Sequence, residues 1–268
     1  MNKKLLIVSM CMLAGLSACN SKAIQSVTKN VVTSQTIWDD YFVGNIIFED
    51  KAPESEGSRI YHSLIADPKA YISSQARTVL NTLYFSPEDS IVPVRNLYYT
   101  LKDSEGISAK GGQDGEISIY YSTRHIAKSF VGNDTAKVDF ETRGVLLHEL
   151  THAYQLEPQG IGNYGTSKVF WAFIEGMADA VRVANGGFHG EVDRPKGGNY
   201  MDGYRRAGYF FVWLRDNKDP DFLRKFNLST LAVVPWSFDG AIKHVLGNEY
   251  SIDDLWKEYQ LAMGDIKE

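Results

Sequence analysis

The chain has 268 residues and a formal net charge of −5, with 33 acidic against 28 basic side chains. No basic stripe or recognition motif runs along it, so nucleic acid is excluded as the expected partner. Apolar residues make up 44% of the sequence, enough for one domain with a sizeable core.

Met1-Asn2-Lys3-Lys4 and the apolar run over 5–16 read as a signal peptide, too short to span a membrane. It ends in Leu16-Ser17-Ala18-Cys19, which looks like a bacterial lipobox, whose cysteine is lipidated and becomes the mature N-terminus. Ordinary cleavage near Ala18 is the alternative. The expected organisation is a signal peptide over 1–18, a polar lipidated tether over 19–37 and one domain over 38–268. The protein is then expected in the bacterial cell envelope, periplasmic or surface-exposed, with Cys19 its membrane contact. Cys11 falls in the removed part, which leaves no intramolecular disulfide, so the fold must rest on its core. No segment demands a second copy, and a monomer is expected.

Residues 45–49 read as a strand. The stretch 68–84 has helical spacing, with Ile72, Ala76, Val79, Leu80 and Leu83 on one face. Residues 94–101 read as a second strand, 106–115 as a glycine-rich turn or loop, and 116–121 alternate as a strand should. Residues 122–127 are expected to turn into a short helix. Strands first and helices afterwards give an α+β class.

The most informative stretch is His148-Glu149-Leu150-Thr151-His152, an H-E-x-x-H motif. Val145, Leu146, Leu147, Leu150, Ala153 and Tyr154 fall at helical spacing around it, with no proline until Pro158 and with Asp139 or Thr142 available as a cap. On a helix, residues four apart are neighbours, so His148 and His152 can grip one metal ion. Glu149 projects to the adjacent edge, where it can reach a metal-activated water without being a ligand. The chemistry expected is that of a zinc-dependent hydrolase, foremost a peptidase, holding one Zn²⁺ and acting on a peptide or protein substrate.

A catalytic zinc takes three protein ligands. Position 155 is Gln and position 158 is Pro, so a third histidine within the motif's extension is absent. The apolar segment 167–183 reads as a buried helix whose only acids, Glu175 and Asp179, stand one turn apart. Buried carboxylates are costly unless paired or bound to metal. Glu175 is the expected third ligand, with Asp179 accepting from the free ring nitrogen of His148. Two alternatives stay open: the reverse assignment, and an ion pair of these acids with Arg182.

The runs 146–152 and 171–182 together resemble the "basic secretory protein" family of plants and bacteria, zincin-type metallopeptidases. Asp202-Gly203-Tyr204-Arg205-Arg206-Ala207-Gly208-Tyr209 looks like the family's Gly-Tyr helix, and Ser251-Ile252-Asp253-Asp254-Leu255-Trp256 like its C-terminal helix. The resemblance covers roughly 45–262. It implies a zincin-like domain, a small mixed sheet followed by a mainly helical part, with His148, His152 and Glu175 as metal ligands and Glu149 as a catalytic group. This chain is acidic, so the family name's "basic" does not transfer.

In zincins an edge strand borders the cleft, and 116–121 resembles it; a peptide substrate would add to such an edge by backbone hydrogen bonds. A neutral donor should stabilise the oxyanion. Tyr204 is the first choice, and Tyr209 and His189 are rivals. His62, His125 and His244 lie outside any ligand spacing. Two other functions remain open: an inactive zincin-fold lipoprotein that binds protein or glycan, and a zinc hydrolase of a non-peptide amide or ester.

Overall fold

The structure, a computed structural model, describes residues 36–267. The expected signal peptide, Cys19 and nearly all of the tether lie outside the described residues.

Four strands, β1 (Asn45–Asp50), β2 (Asn96–Lys102), β3 (Ser108–Gln113) and β4 (Glu116–Ser122), form a sheet in the order β1-β2-β4-β3. β1, β2 and β4 are parallel, and β3 is antiparallel to β4. Alternate residues of the inner pair face the core in register: Leu97 beside Ile117, Tyr99 beside Ile119 and Leu101 beside Tyr121. Between β1 and β2 run α1 (Glu56–Leu64) and α2 (Pro68–Leu83), and after β4 run α3 (Thr123–Ser129), α4 (Thr135–Tyr154), α5 (Lys168–Ala184), α6 (Tyr204–Asn217), α7 (Phe222–Ala232), α8 (Phe238–Leu246) and α9 (Ile252–Ala262). A small mixed sheet followed by a mainly helical part is the α+β class expected. Among the described residues no helix is long and apolar enough to cross a membrane.

Two expectations are corrected here. The glycine-rich stretch 106–115 is not a loop: most of it is β3, joined to β4 by a tight turn through Asp114 (φ +52°) and Gly115 (φ +80°). In consequence 116–121 is not the edge. β4 is paired on both sides, and β3 is the edge strand beside α4. β3 has no buried residue on either face, so it carries no apolar alternation for a sequence reading to detect. The motif helix also begins earlier than expected. Its cap is neither Asp139 nor Thr142 but Asp134, whose carboxylate accepts from the Lys137 N–H at 3.0 Å.

The C-terminal end of α4 is tied down from far along the chain. Asn227, fully buried on α7, accepts from the Leu156 N–H (2.9 Å) and donates to the Leu83 carbonyl (3.3 Å). Helix α5 is apolar nearly all round and is capped by Ser167, which accepts from Phe170 N–H. It lies between α4 and α6. The α5–α6 approach depends on Gly208: a Cβ there would come within 2.9 Å of the Asp179 and Ala180 backbone, so a larger residue would push α6 off Asp179.

Candidate metal centre

α4 presents His148 and His152 one turn apart, rings perpendicular (90°) and 4.7 Å between centroids, with their Nε2 atoms 3.1 Å apart. α5 brings Glu175 and Asp179 to opposite sides of the first ring. Glu175 Oε2 lies 3.3 Å from His148 Nε2 and 3.7 Å from His152 Nε2, whereas Asp179 Oδ1 lies 2.8 Å from His148 Nδ1. The two acids are therefore separated by function of position: one faces the paired Nε2 atoms, the other the outer nitrogen of one ring. Arg182 touches neither, and pairs instead with Glu141 at 2.8 Å.

Two nitrogens and one oxygen thus converge as a group able to hold a metal ion. Glu175 Oε2 is buried and has no hydrogen-bond partner, an expensive arrangement for a carboxylate without a cation beside it. Zinc–ligand bonds near 2.0–2.1 Å in a tetrahedron set the donors about 3.3 Å apart. The observed separations of 3.1, 3.3 and 3.7 Å bracket that spacing. The donor set fits the ion.

The electrostatics point the same way. Burial disfavours charge on His148, but its hydrogen bond to Asp179 and the Glu175 carboxylate beside it outweigh burial and raise its pKa. Burial and the neighbouring His148 charge lower that of His152. The acids thus favour positive charge beside the rings. Glu175 stays ionised well inside the protein because both histidines and Tyr164 offset its burial.

Further partners were not legible in the sequence. The Tyr164 hydroxyl, from the loop between α4 and α5, donates to Glu175 Oε1 (2.6 Å), leaving Oε2 toward the imidazoles. The Gln155 amide meets His152 Nδ1 at 2.8 Å, and its Oε1 is otherwise unpartnered. Exchanging the amide's N and O lets Oε1 accept from Nδ1–H, which frees Nε2 to ligate. In the motif Gln155 counts only as a failed ligand position. Ser108, the first residue of β3, donates to Glu149 Oε1 at 2.5 Å, and its signal was hidden by the missed strand.

Glu149 is buried, and burial raises its pKa, opposed by His148 and Ser108. Ser108→Ala should raise it further, moving the acid limb of a pH–rate profile upward and lowering activity at neutral pH about tenfold. Ser108→Thr should restore both, and metal content should not change in either. Unaltered pH profiles in Ser108→Ala would show that the contact is without consequence.

Tyr204 opens α6 with φ +42°, directly after Gly203 at φ +62°. A Cβ on Gly203 would press on the Trp171 ring at 3.0 Å. Held this way, the Tyr204 ring lies parallel to His148 (10°, 6.0 Å) and edge-on to Trp171. A left-handed backbone at a bulky residue costs about 1–3 kcal/mol and persists only where its surroundings enforce it. The rivals are placed differently. Tyr209 is buried and donates to the Gly190 carbonyl (2.7 Å), and exposed His189 is stacked on Phe140 at 4.1 Å. His62 and His125 pair with Asp50 and Glu141.

Two cavities flank the centre, of about 760 Å³ and 520 Å³, and Ser108, His148, Glu149 and Tyr204 line both. A chain laid across the centre could occupy both sides.

The α+β fold thus sets a His–His–Glu cluster that could hold a metal ion, its glutamate buried and its histidines half-buried, between two cavities. The family BSP, described as peptidase of plants and bacteria, matches residues 45–259, and the chain belongs to it. No curated relative and no solved structure matches the chain.

Proposed function

We propose that the protein is a zinc-dependent peptidase, exported and held at the cell envelope through a lipidated Cys19. The observation that carries the metal assignment is the orphaned Glu175 Oε2 facing two imidazole Nε2 atoms inside the protein. His148, His152 and Glu175 would hold the ion, which lowers the pKa of a water in the open position and polarises the scissile carbonyl. Asp179 accepts from His148 Nδ1–H, fixing the tautomer that leaves Nε2 free to ligate. Glu149 takes the proton of the attacking water and returns it to the leaving amine. The phenol of Tyr204 donates to the developing oxyanion. Edge strand β3 offers backbone groups on which an extended substrate aligns.

The test combines metal analysis with digestion of unstructured peptides. The purified protein should contain about one zinc per chain, and chelation should abolish cleavage, with zinc restoring it. Saturating zinc should also raise the melting temperature by about 10 °C over the chelated protein, from about 4 kcal/mol of linkage at a thousandfold excess over Kd. Absence of bound zinc favours a binding lipoprotein; zinc without peptide cleavage favours a non-peptide amide or ester substrate.

A further inference from the structure

The larger cavity extends from the metal centre along the N-terminal half of α4, toward Lys137. From His148 to Lys137 the helix covers about 16 Å, room for about five extended residues. Its walls are aromatic and braced. Phe140 is stacked on His189 (4.1 Å, 15°), and Phe188 lies under the Arg182 guanidinium (4.1 Å to the ring centroid). Val145 is buried behind them and half-exposed Ile107 stands at the β3 side.

Several polar groups along these walls are already engaged. Arg182 donates to Glu141 (2.8 Å) and to the Gly187 carbonyl (3.0 Å), and the other Glu141 oxygen meets His125 (3.0 Å). The Asp193 carboxylate accepts from His189 N–H (2.7 Å), and Asp179 is held by His148. An incoming cationic side chain would lose its water and find the Glu141 and Asp179 carboxylates already paired. Exposed Lys137 and Arg205 add positive charge at the cavity.

We infer that this cavity is a side-chain specificity site, taking a large apolar or aromatic residue beside the scissile bond and rejecting lysine and arginine there. The inference rests on the peptidase reading and specifies its substrate class. Burial of one aromatic side chain against Phe140, Phe188 and His189 corresponds to a preference over alanine of at least about tenfold.

Two measurements on the zinc-loaded full chain test it. The first is digestion of an unstructured peptide library, with products read by mass spectrometry. Phe, Tyr or Leu should be enriched at least tenfold over Ala on one side of the cut, and Lys and Arg depleted there. Phe140→Ala and His189→Ala should erase this preference while leaving cleavage of the Ala-containing peptides within about twofold. The second is binding of uncleaved fluorescent peptides to Glu149→Gln, where the Phe peptide should bind at least tenfold more tightly than its Ala counterpart. Cleavage without side-chain preference, or a preference unchanged in both cavity variants, overturns the specificity site and leaves the peptidase reading intact. Selective binding by Glu149→Gln with no cleavage by the unaltered protein keeps the site and overturns the peptidase reading. Neither cleavage nor selective binding overturns both.

Discussion

On the zinc-peptidase reading, Glu149→Ala is expected to retain the metal and to lose hydrolysis by about 10²–10⁴-fold, the span of a positioned acid–base group. The geometry separates the two properties. Ser108 bonds Glu149 Oε1 at 2.5 Å, and Glu149 is not a member of the His148–His152–Glu175 group. Removing its carboxyl therefore takes no ligand from the ion. It removes the proton acceptor and leaves Ser108 without its partner. The check is metal content by elemental analysis beside kcat/KM on one cleaved peptide. Substantial hydrolysis by a metal-replete Glu149→Ala protein would refute the proton-transfer role. A protein that lost its zinc as well would place Glu149 among the groups that hold the ion.

Glu175→Ala should weaken zinc binding far more than Asp179→Ala. Apparent affinities of about 10–16 kcal/mol for zinc held by four ligands give about 2.5–4 kcal/mol each, roughly 10²–10³-fold for one lost ligand. A hydrogen bond to a ligating histidine is worth about 10–100-fold. Glu175 Oε2 faces both Nε2 atoms, and Asp179 Oδ1 sits on the far nitrogen of His148. Competition with a chromogenic chelator measures both constants. The reverse order would make Asp179 the ligand and Glu175 its support.

The fold's helical half and the histidine–acid pairing were legible because their residues repeat with the helix. His148 and His152, Glu175 and Asp179, and the apolar flanks of α4 and α5 all follow a spacing set by 3.6 residues per turn. What was not legible lies where burial gives no pattern. β3 is exposed on both faces and rich in glycine, so it looked like a loop, and the edge was assigned one strand too far along. The first three residues of α4 are exposed and its Asp134 cap stands apart from the apolar stripe, so the helix seemed shorter. Ser108 and Tyr164 reach Glu149 and Glu175 from an edge strand and a loop. Tertiary packing alone brings them there, and no local spacing encodes it. Tyr204 could be singled out because Gly203 precedes it, yet its left-handed backbone is visible only in coordinates.

Asn227 carries a consequence for how small this protein can be made. A fragment ending at residue 217 would contain His148, Glu149, His152, Glu175, Asp179 and Tyr204, every side chain the chemistry invokes. It would lack the buried amide that grips Leu156 and Leu83 at once, and with it the clamp holding the exit of the histidine helix against α2. Helices α7 to α9, which line neither cavity, are thus a mechanical brace for the catalytic half. Shortened versions that preserve every signature residue should fail for want of rigidity rather than of chemistry.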